Sequence, residues 1–192
     1  MLTQDQRILT FQSLVNSAND SFLVDIDTII NYLTTLGYFT APASTKFHLS
    51  YEGGLIEHSF SVTKELLELT KNEHLTWQKK DSPIIIGLFH DLCKADAYVN
   101  VNGYWLWNKA QSVSGHGEKS LIYYDRMSDN GLVRPLTDEE RMCIRWHMGS
   151  FDEKENWSSY TNAIHIYPNV LWTHVADMVS SHITELSDST AH

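Results

Sequence analysis

The sequence has few cysteines, few prolines and no apolar stretch long enough to cross a membrane. Cys93 and Cys143 are its two cysteines in 192 residues, which excludes a disulfide framework and predicts a reducing, cytoplasmic environment. No run of 18 or more apolar residues occurs, so no membrane-spanning helix is expected. The first seven residues, Met-Leu-Thr-Gln-Asp-Gln-Arg, lack the apolar segment of a secretory signal.

Positive charge is also scarce. The chain has 14 lysines and arginines against 24 aspartates and glutamates, which gives a formal net charge of -10. Binding to long nucleic acid depends on basic residues that displace counterions, so no such partner is expected. A local basic pocket or a bound metal ion can still attract a small phosphate compound.

Hydrophobic residues are plentiful and follow mostly a helical period. They make up 42% of the chain, and charged residues 20%, which is enough for a folded core. The length predicts one domain over 1–192. Within it we expect N-terminal helices over 1–36 and a core that carries the functional motifs over 48–181.

Local signals define the ends of these elements. Capping-box patterns at Thr3 and Thr137 predict two helix starts, and Gly37 predicts a helix end. Ser82 followed by proline predicts the start of a short apolar helix that ends near Cys93. Asn-Gly at 102–103, between aromatic and β-branched residues, predicts a β-hairpin. We therefore expect an all-α bundle of about seven helices with one small β-hairpin.

Histidine is abundant, with ten residues, and several lie in or beside apolar helices. Asp91 and Asp177 also fall in such helices, where an unpaired carboxylate is costly to bury. A metal ion would remove that cost, since imidazole nitrogens and carboxylate oxygens bind zinc, iron, manganese and similar divalent ions. The residues of this set are His58, His90, Asp91, His116, His147, His174 and Asp177.

Three segments resemble, in order, the motifs of HD-domain metal-dependent phosphohydrolases. Residues 48–59 (HLSYEGGLIEHS) resemble the opening motif, 89–94 (FHDLCK) the central motif, and 171–177 (LWTHVAD) the closing helix. Residues 115–120 (GHGEKS) and 145–149 (RWHMG) resemble the additional histidine motifs of members with more than one metal ion. The resemblance implies a helical-bundle HD domain, in agreement with the helical pattern.

The resemblance also implies a set of metal ligands. One or two divalent ions (Mn, Fe, Co, Zn or Mg) would bind, with Asp91 bridging the two positions. The first ion would be held by His58, His90, Asp91 and Asp177, and the second would be completed by His116 and His147.

Residues around these ligands are expected to act on the substrate. The resemblance implies that Lys94 contacts the substrate phosphate. His48 would protonate a leaving group or bind phosphate, unless it is an ordinary loop histidine. Lys119 and Arg145 would bind substrate, unless they are solvated surface charges. Cys93 stands where many relatives have glycine, and we expect it to pack as a small buried residue.

These features predict that a metal-activated water attacks phosphorus in a small nucleotide, as in a nucleotidase or a deoxynucleotide triphosphohydrolase. Three alternatives stay open: a phosphodiesterase or exonuclease on cyclic or short oligonucleotides, an HD-fold di-iron oxygenase, and a non-enzymatic nucleotide-binding module. Aromatic residues in the expected hairpin indicate a partner surface and hence a homo-oligomer.

Overall fold

The computed structural model describes residues 1–18, 24–45, 49–111 and 115–185. Within these ranges the chain forms eight α-helices and one antiparallel hairpin, which confirms the expected all-α architecture. None of these helices combines the length and the apolar character needed to span a bilayer. The helices are α1 (Gln4–Ser17), α2 (Ile26–Leu36), α3 (Gly54–Asn72), α4 (Ser82–Phe89), α5 (His116–Asp129), α6 (Asp138–Trp146), α7 (Trp157–Ile166) and α8 (Asn169–Val179).

Capping hydrogen bonds define the helix starts that the sequence predicts. At α1 the Thr3 side chain accepts a bond from the backbone N–H of Gln6, whose side chain accepts one from the N–H of Thr3. Thr137 and Glu140 form the same reciprocal pair at α6. Helix α2 ends at Gly37, whose φ of 93° lies in the left-handed region that favours glycine.

The hairpin lies between α4 and α5. Its strands are β1 (Tyr98–Val101) and β2 (Tyr104–Trp107), with Tyr98 opposite Trp107. Asn102 and Gly103 connect them with φ values of 53° and 87°. Two consecutive positive φ values are typical of a type I′ turn, as the Asn-Gly pair predicts.

Two features differ from the sequence-based expectation. Helix α4 ends at Phe89 and not near Cys93, because Asp91 leaves the helical conformation (φ −105°, ψ 21°) and a 3-10 turn follows at Leu92–Asp96. Helix α7 was not predicted. The last helix, expected from Pro168 to about Leu186, does extend beyond α8, and its final part over Ser180–Thr184 is a π-helical turn.

Helix α3 lies at the centre of the packing that positions the polar residues. It packs against α4 and α8, while α6 packs against α4, α5 and α8. Gly87 on α4 permits the close approach to α3, since a Cβ there would lie 2.6 Å from the Cα of Thr63. The helices that carry the motif histidines therefore converge in the interior.

Candidate metal centre

Two adjacent glycines set the start of α3 and hence the position of His58. Gly53 has a φ of 79°, and a Cβ on Gly54 would lie 1.9 Å from the carbonyl oxygen of Leu49. A larger residue at position 54 would therefore displace the first turn of α3. His58 follows one turn later and is buried, with 1% of its surface exposed.

His58, His90 and Asp177 come together from α3, the end of α4 and α8. The Nε2 atom of His58 lies 3.3 Å from Nε2 of His90 and 3.2 Å from Oδ1 of Asp177. One potential ligand atom from each of the three residues lies within 4.8 Å of the other two. This spacing suits a shared metal ion.

One carboxylate oxygen of Asp91 faces this group, and its other oxygen faces His147. Its Oδ2 atom lies 3.7 Å from Nε2 of His58, 3.6 Å from Nε2 of His90 and 2.6 Å from Nζ of Lys94. Its Oδ1 atom lies 3.4 Å from Nε2 of His147. A carboxylate placed in this way can bridge two metal positions.

The buried atoms on the His147 side lack hydrogen bonds. Asp91 Oδ1 and His147 Nε2 are both inaccessible to solvent, and neither has a hydrogen-bond partner among the described residues. Buried polar atoms are normally paired, because an unpaired one costs about 1–3 kcal/mol. A divalent cation would satisfy both atoms, so the residues present fit a metal ion.

Hydrogen bonds through Nδ1 orient the imidazoles. His90 Nδ1 donates to the carbonyl of Gly87 at 3.0 Å, and His147 Nδ1 donates to that of Ile144 at 2.7 Å. Since a carbonyl can only accept, the Nδ1 atoms carry protons, and in the neutral rings the Nε2 lone pairs face the centre. This arrangement is common for histidines that bind metals.

Glu185 supports His58 in the same way and was missed in the sequence. Its Oε1 atom lies 2.8 Å from Nδ1 of His58, and the glutamate is buried. The position is eight residues after Asp177, just beyond the segment that resembles the closing motif. One signal in the sequence points to Glu185. It follows Asp177 and Ser181 at steps of four residues, which places all three on one face of a helix.

The pKa values of His58 and His90, the two histidines that face Oδ2 of Asp91, shift in opposite directions. Burial opposes protonation of His58, but its hydrogen bonds to Asp177 and Glu185 outweigh this effect and raise its pKa to about 10. Burial lowers the pKa of His90 to about 4. Burial would raise the pKa of Asp91, yet Lys94 and the histidines hold it well below its usual range. The centre thus favours an ionised carboxylate beside a neutral His90.

His116 lies near Asp91 and Cys93, at the start of α5. Its Nδ1 atom lies 3.5 Å from Sγ of Cys93, and these two residues form a second potential ligand group with Asp91. Cys93 is 4% exposed, as expected for a small buried residue, and burial raises the pKa of its thiol to about 12.

Lys119 and Arg145 are engaged in ion pairs with other residues. Lys119 Nζ lies 2.6 Å from Oδ1 of Asp96. Arg145 contacts Glu118 at 2.5 Å and Asp152 at 2.7 Å. Either residue would have to leave its partner, or share it, to bind a substrate phosphate. His48 lies outside the described residues.

A cavity of about 260 Å³ borders this second group. Its lining includes His116, Glu118, Met148, Phe151 and Asp152. It therefore combines an exposed aromatic ring with carboxylates next to a potential metal ligand.

Part of the chain is similar to a curated phosphodiesterase. The dihydroneopterin 2′,3′-cyclic phosphate phosphodiesterase of Methanocaldococcus jannaschii is 39% identical over 62 residues. The similar segment covers 31% of this chain and 25% of the relative, so the chain corresponds to about a quarter of that protein's length. No family model matches the chain, and no solved structure matches it.

Proposed function

We propose that the protein is a metal-dependent phosphohydrolase of the HD type, acting on a small nucleotide-like compound. The observation that carries this proposal is the buried Asp91 carboxylate, whose two oxygens face different histidines and whose Oδ1 has no hydrogen-bond partner among the described residues. The similarity to a phosphodiesterase supports the hydrolysis of a phosphoester.

The proposed ligands divide into two sets that share Asp91. The first set is His58, His90, Asp91 and Asp177, and the second adds His116 and His147. A bound divalent ion (Mn, Fe, Co, Zn or Mg) lowers the pKa of its water and draws charge from phosphoryl oxygens. The Nδ1 hydrogen bonds hold the ring nitrogens in position for this role.

Lys94 would bind the phosphate. Its ammonium lies 2.6 Å from Asp91 Oδ2 and retains 13% exposure, so it is anchored at the centre and still reaches solvent. Burial opposes its charge, but Asp91 raises its pKa above the usual value, so it stays protonated at neutral pH. Such a cation stabilises negative charge on the phosphoryl oxygens. His48 is proposed as a further phosphate ligand or proton donor, and Lys119 and Arg145 as outer substrate contacts.

Two substrate types are proposed. One is a nucleoside mono- or triphosphate, as in nucleotidases and deoxynucleotide triphosphohydrolases. The other is a cyclic phosphodiester, which the similarity to a cyclic phosphate phosphodiesterase favours. The excess of acidic residues disfavours long nucleic acid. We also propose that residues 1–192 form a single domain and that the protein is cytoplasmic. Self-association through the hairpin is proposed as well.

The test is a substrate panel on metal-stripped protein with Mn²⁺, Fe²⁺, Co²⁺, Zn²⁺ or Mg²⁺ added singly. Nucleoside mono- and triphosphates, 2′,3′-cyclic nucleotides and cyclic dinucleotides are incubated, and the products are separated by chromatography. We expect metal-dependent hydrolysis of one class, and its loss in Asp91→Asn.

Asp125→Asn is the matched control, because Asp125 belongs to neither ligand set and forms a partly exposed pair with Arg141. Hydrolysis that survives Asp91→Asn would contradict the proposed centre. Oxygen consumption without hydrolysis would favour the oxygenase, and no turnover with any ion would favour a binding module.

A further inference from the structure

We propose that Cys93 is a thiolate ligand to a metal ion that it shares with Asp91 and His116. The second metal position of the proposed centre would then contain sulfur, where the resemblance implies histidine and carboxylate ligands alone. This inference rests on the proposed metal-dependent function of the same centre.

The distances fit a shared ion. For tetrahedral zinc, Zn–S of about 2.3 Å and Zn–N of about 2.0–2.1 Å place the two ligand atoms about 3.6 Å apart. The separation of Cys93 Sγ from His116 Nδ1 is 3.5 Å. One ligand atom from each of Asp91, Cys93 and His116 lies within 4.8 Å of the other two.

A simple S–H···N hydrogen bond would give a similar separation, so a second observation is needed. Asp91 is 2% exposed, and its Oδ1 atom, which lies 3.4 Å from Nε2 of His147, has no hydrogen-bond partner among the described residues. A hydrogen bond between Cys93 and His116 would leave this oxygen unsatisfied. A cation bound by Cys93, His116 and this oxygen of Asp91 would satisfy it.

The backbone also holds Cys93 in place beside α5. Its N–H donates to Oγ of Ser120 at 3.1 Å, one turn after His116 on the same helix. The 3-10 turn after Asp91 brings Cys93 to this helix, whereas a continuous α4 would carry it further along the helix axis. The change from α-helix to 3-10 helix therefore brings Cys93 next to His116.

A small cavity borders two of the three proposed ligands, Cys93 and His116. Its volume is about 20 Å³, and Cys93, Trp107, His116 and Lys119 are among its lining residues. That is about the space of one water molecule or ion. Binding through sulfur would break the S–H bond, form a sulfur–metal bond and release the proton to water.

Sulfur ligation predicts the choice of metal. Thiolates prefer zinc and other softer ions, whereas carboxylate and water ligands suit magnesium and manganese. We therefore expect the second position to bind Zn²⁺ or Co²⁺ in preference to Mg²⁺.

The experiment is a Co²⁺ titration of the metal-stripped full chain, followed by absorption spectroscopy. Wild type should show the intense near-ultraviolet sulfur-to-cobalt band together with weaker visible bands of bound cobalt. Cys93→Ser should lose the ultraviolet band and keep the visible bands of the first position. It should bind the second ion on the order of 100-fold more weakly, which is the upper end of the effect of removing a residue that only supports a ligand.

Cys143→Ala is the matched control, because Cys143 is the other buried cysteine and belongs to the hydrophobic core cluster. It should keep the band. Cys93→Ala serves as a second test if the serine variant loses helical content by circular dichroism.

The outcomes separate this inference from the proposed function. Cobalt bound with visible bands but without the ultraviolet band in wild type would overturn the cysteine ligand and leave a metal-dependent hydrolase intact. A band that persists in Cys93→Ser, or that disappears in Cys143→Ala, would also overturn it. No bound cobalt at all would contradict both proposals.

Discussion

The carboxylate of Asp91 lies between two sets of nitrogen atoms, and one of its immediate neighbours is a cation. Lys94 Nζ is 2.6 Å from Oδ2, the same oxygen that faces His58 and His90. This ion pair balances a buried charge that would otherwise be costly. A metal ion at the same oxygen would take over that balance, which leaves the ammonium available for phosphate.

Lys94→Ala should therefore impair catalysis more than metal binding. We expect kcat to fall about 100-fold, the loss typical of a removed group that stabilises developing negative charge. Metal affinity should stay the same or rise, because a competing cation has been removed from Asp91. Steady-state kinetics and metal titration of the same preparations measure both. Lys64→Ala, at an exposed site on α3, is the control and should change neither kcat nor metal affinity. If Lys94→Ala lost bound metal to the same extent as activity, Lys94 would have a structural role.

Glu185 acts on the centre through His58, so its substitution should weaken metal binding. Glu185→Gln keeps an oxygen that can accept from Nδ1 but removes the charge that favours this orientation. We expect metal affinity to fall about 10-fold to 100-fold, as for other residues that support a ligand histidine. Isothermal titration with Zn²⁺ measures this change.

Glu68→Gln on the exposed face of α3 is the matched control. If Glu185→Gln lowered thermal stability but left the Zn²⁺ affinity as in wild type, Glu185 would be a packing residue and not a positioning residue.

The contact between α3 and α4 determines how close His58 and His90 come. Gly87 faces Thr63 across this contact, and a Cβ at position 87 would lie 2.4 Å from Thr63 Oγ1 and 2.6 Å from its Cα. Gly87→Ala should therefore force the helices apart. We expect it to lower the free energy of unfolding by about 1–3 kcal/mol, as overpacking does, and to weaken metal binding as well. Urea unfolding and metal titration test the two effects.

Gly131→Ala is a useful comparison for this variant. Gly131 has a φ of 71° but open space around its Cβ position, so alanine there adds backbone strain without touching α3 or α4. It should lower stability and leave metal affinity unchanged. If Gly87→Ala and Gly131→Ala bound metal with equal affinity, the contact between α3 and α4 would not determine the geometry of the metal centre.

Elements with local signals could be predicted from the sequence, and those without them could not. The capping boxes at Thr3 and Thr137 involve residues three apart, and the Asn-Gly turn is equally local. Helix α7 lacks such signals: Asn156 makes no side-chain capping bond in the described structure, and Ala163 is its one buried residue there. Its apolar residues Tyr160, Ala163 and Ile164 do follow a helical spacing, and Tyr160 and Ile164 pack partly buried against the core, so the missing capping signal is why the sequence does not indicate this helix clearly.

Tertiary contacts account for what the sequence could not predict at the site. His58 and Glu185 are 127 positions apart, and their hydrogen bond depends on how the π-helical turn after α8 packs against α3. The ion pairs of Lys119 and Arg145 likewise depend on partners from other elements. The motif residues themselves were found because their order along the chain resembles a known pattern.

In the whole molecule, the candidate centre joins segments that are distant in sequence. Its residues come from α3, the end of α4, the start of α5, the end of α6 and α8. In the unfolded chain these ligands are dispersed, so a metal ion binds the folded state in preference. Such binding stabilises the folded state by about 2.7 kcal/mol when the free ion is at 100 times its dissociation constant.

Thermal unfolding should therefore depend on metal. For a chain of this length, that stabilisation corresponds to a rise in Tm of about 5–10 °C. Metal-stripped protein is heated with and without Zn²⁺, Mn²⁺ or Co²⁺, and unfolding is followed by circular dichroism. Asp91→Asn, which removes the carboxylate common to both ligand sets, should show little or no rise. A rise of the same size in wild type and Asp91→Asn would place the stabilising ion elsewhere, because only binding at the candidate centre requires that carboxylate.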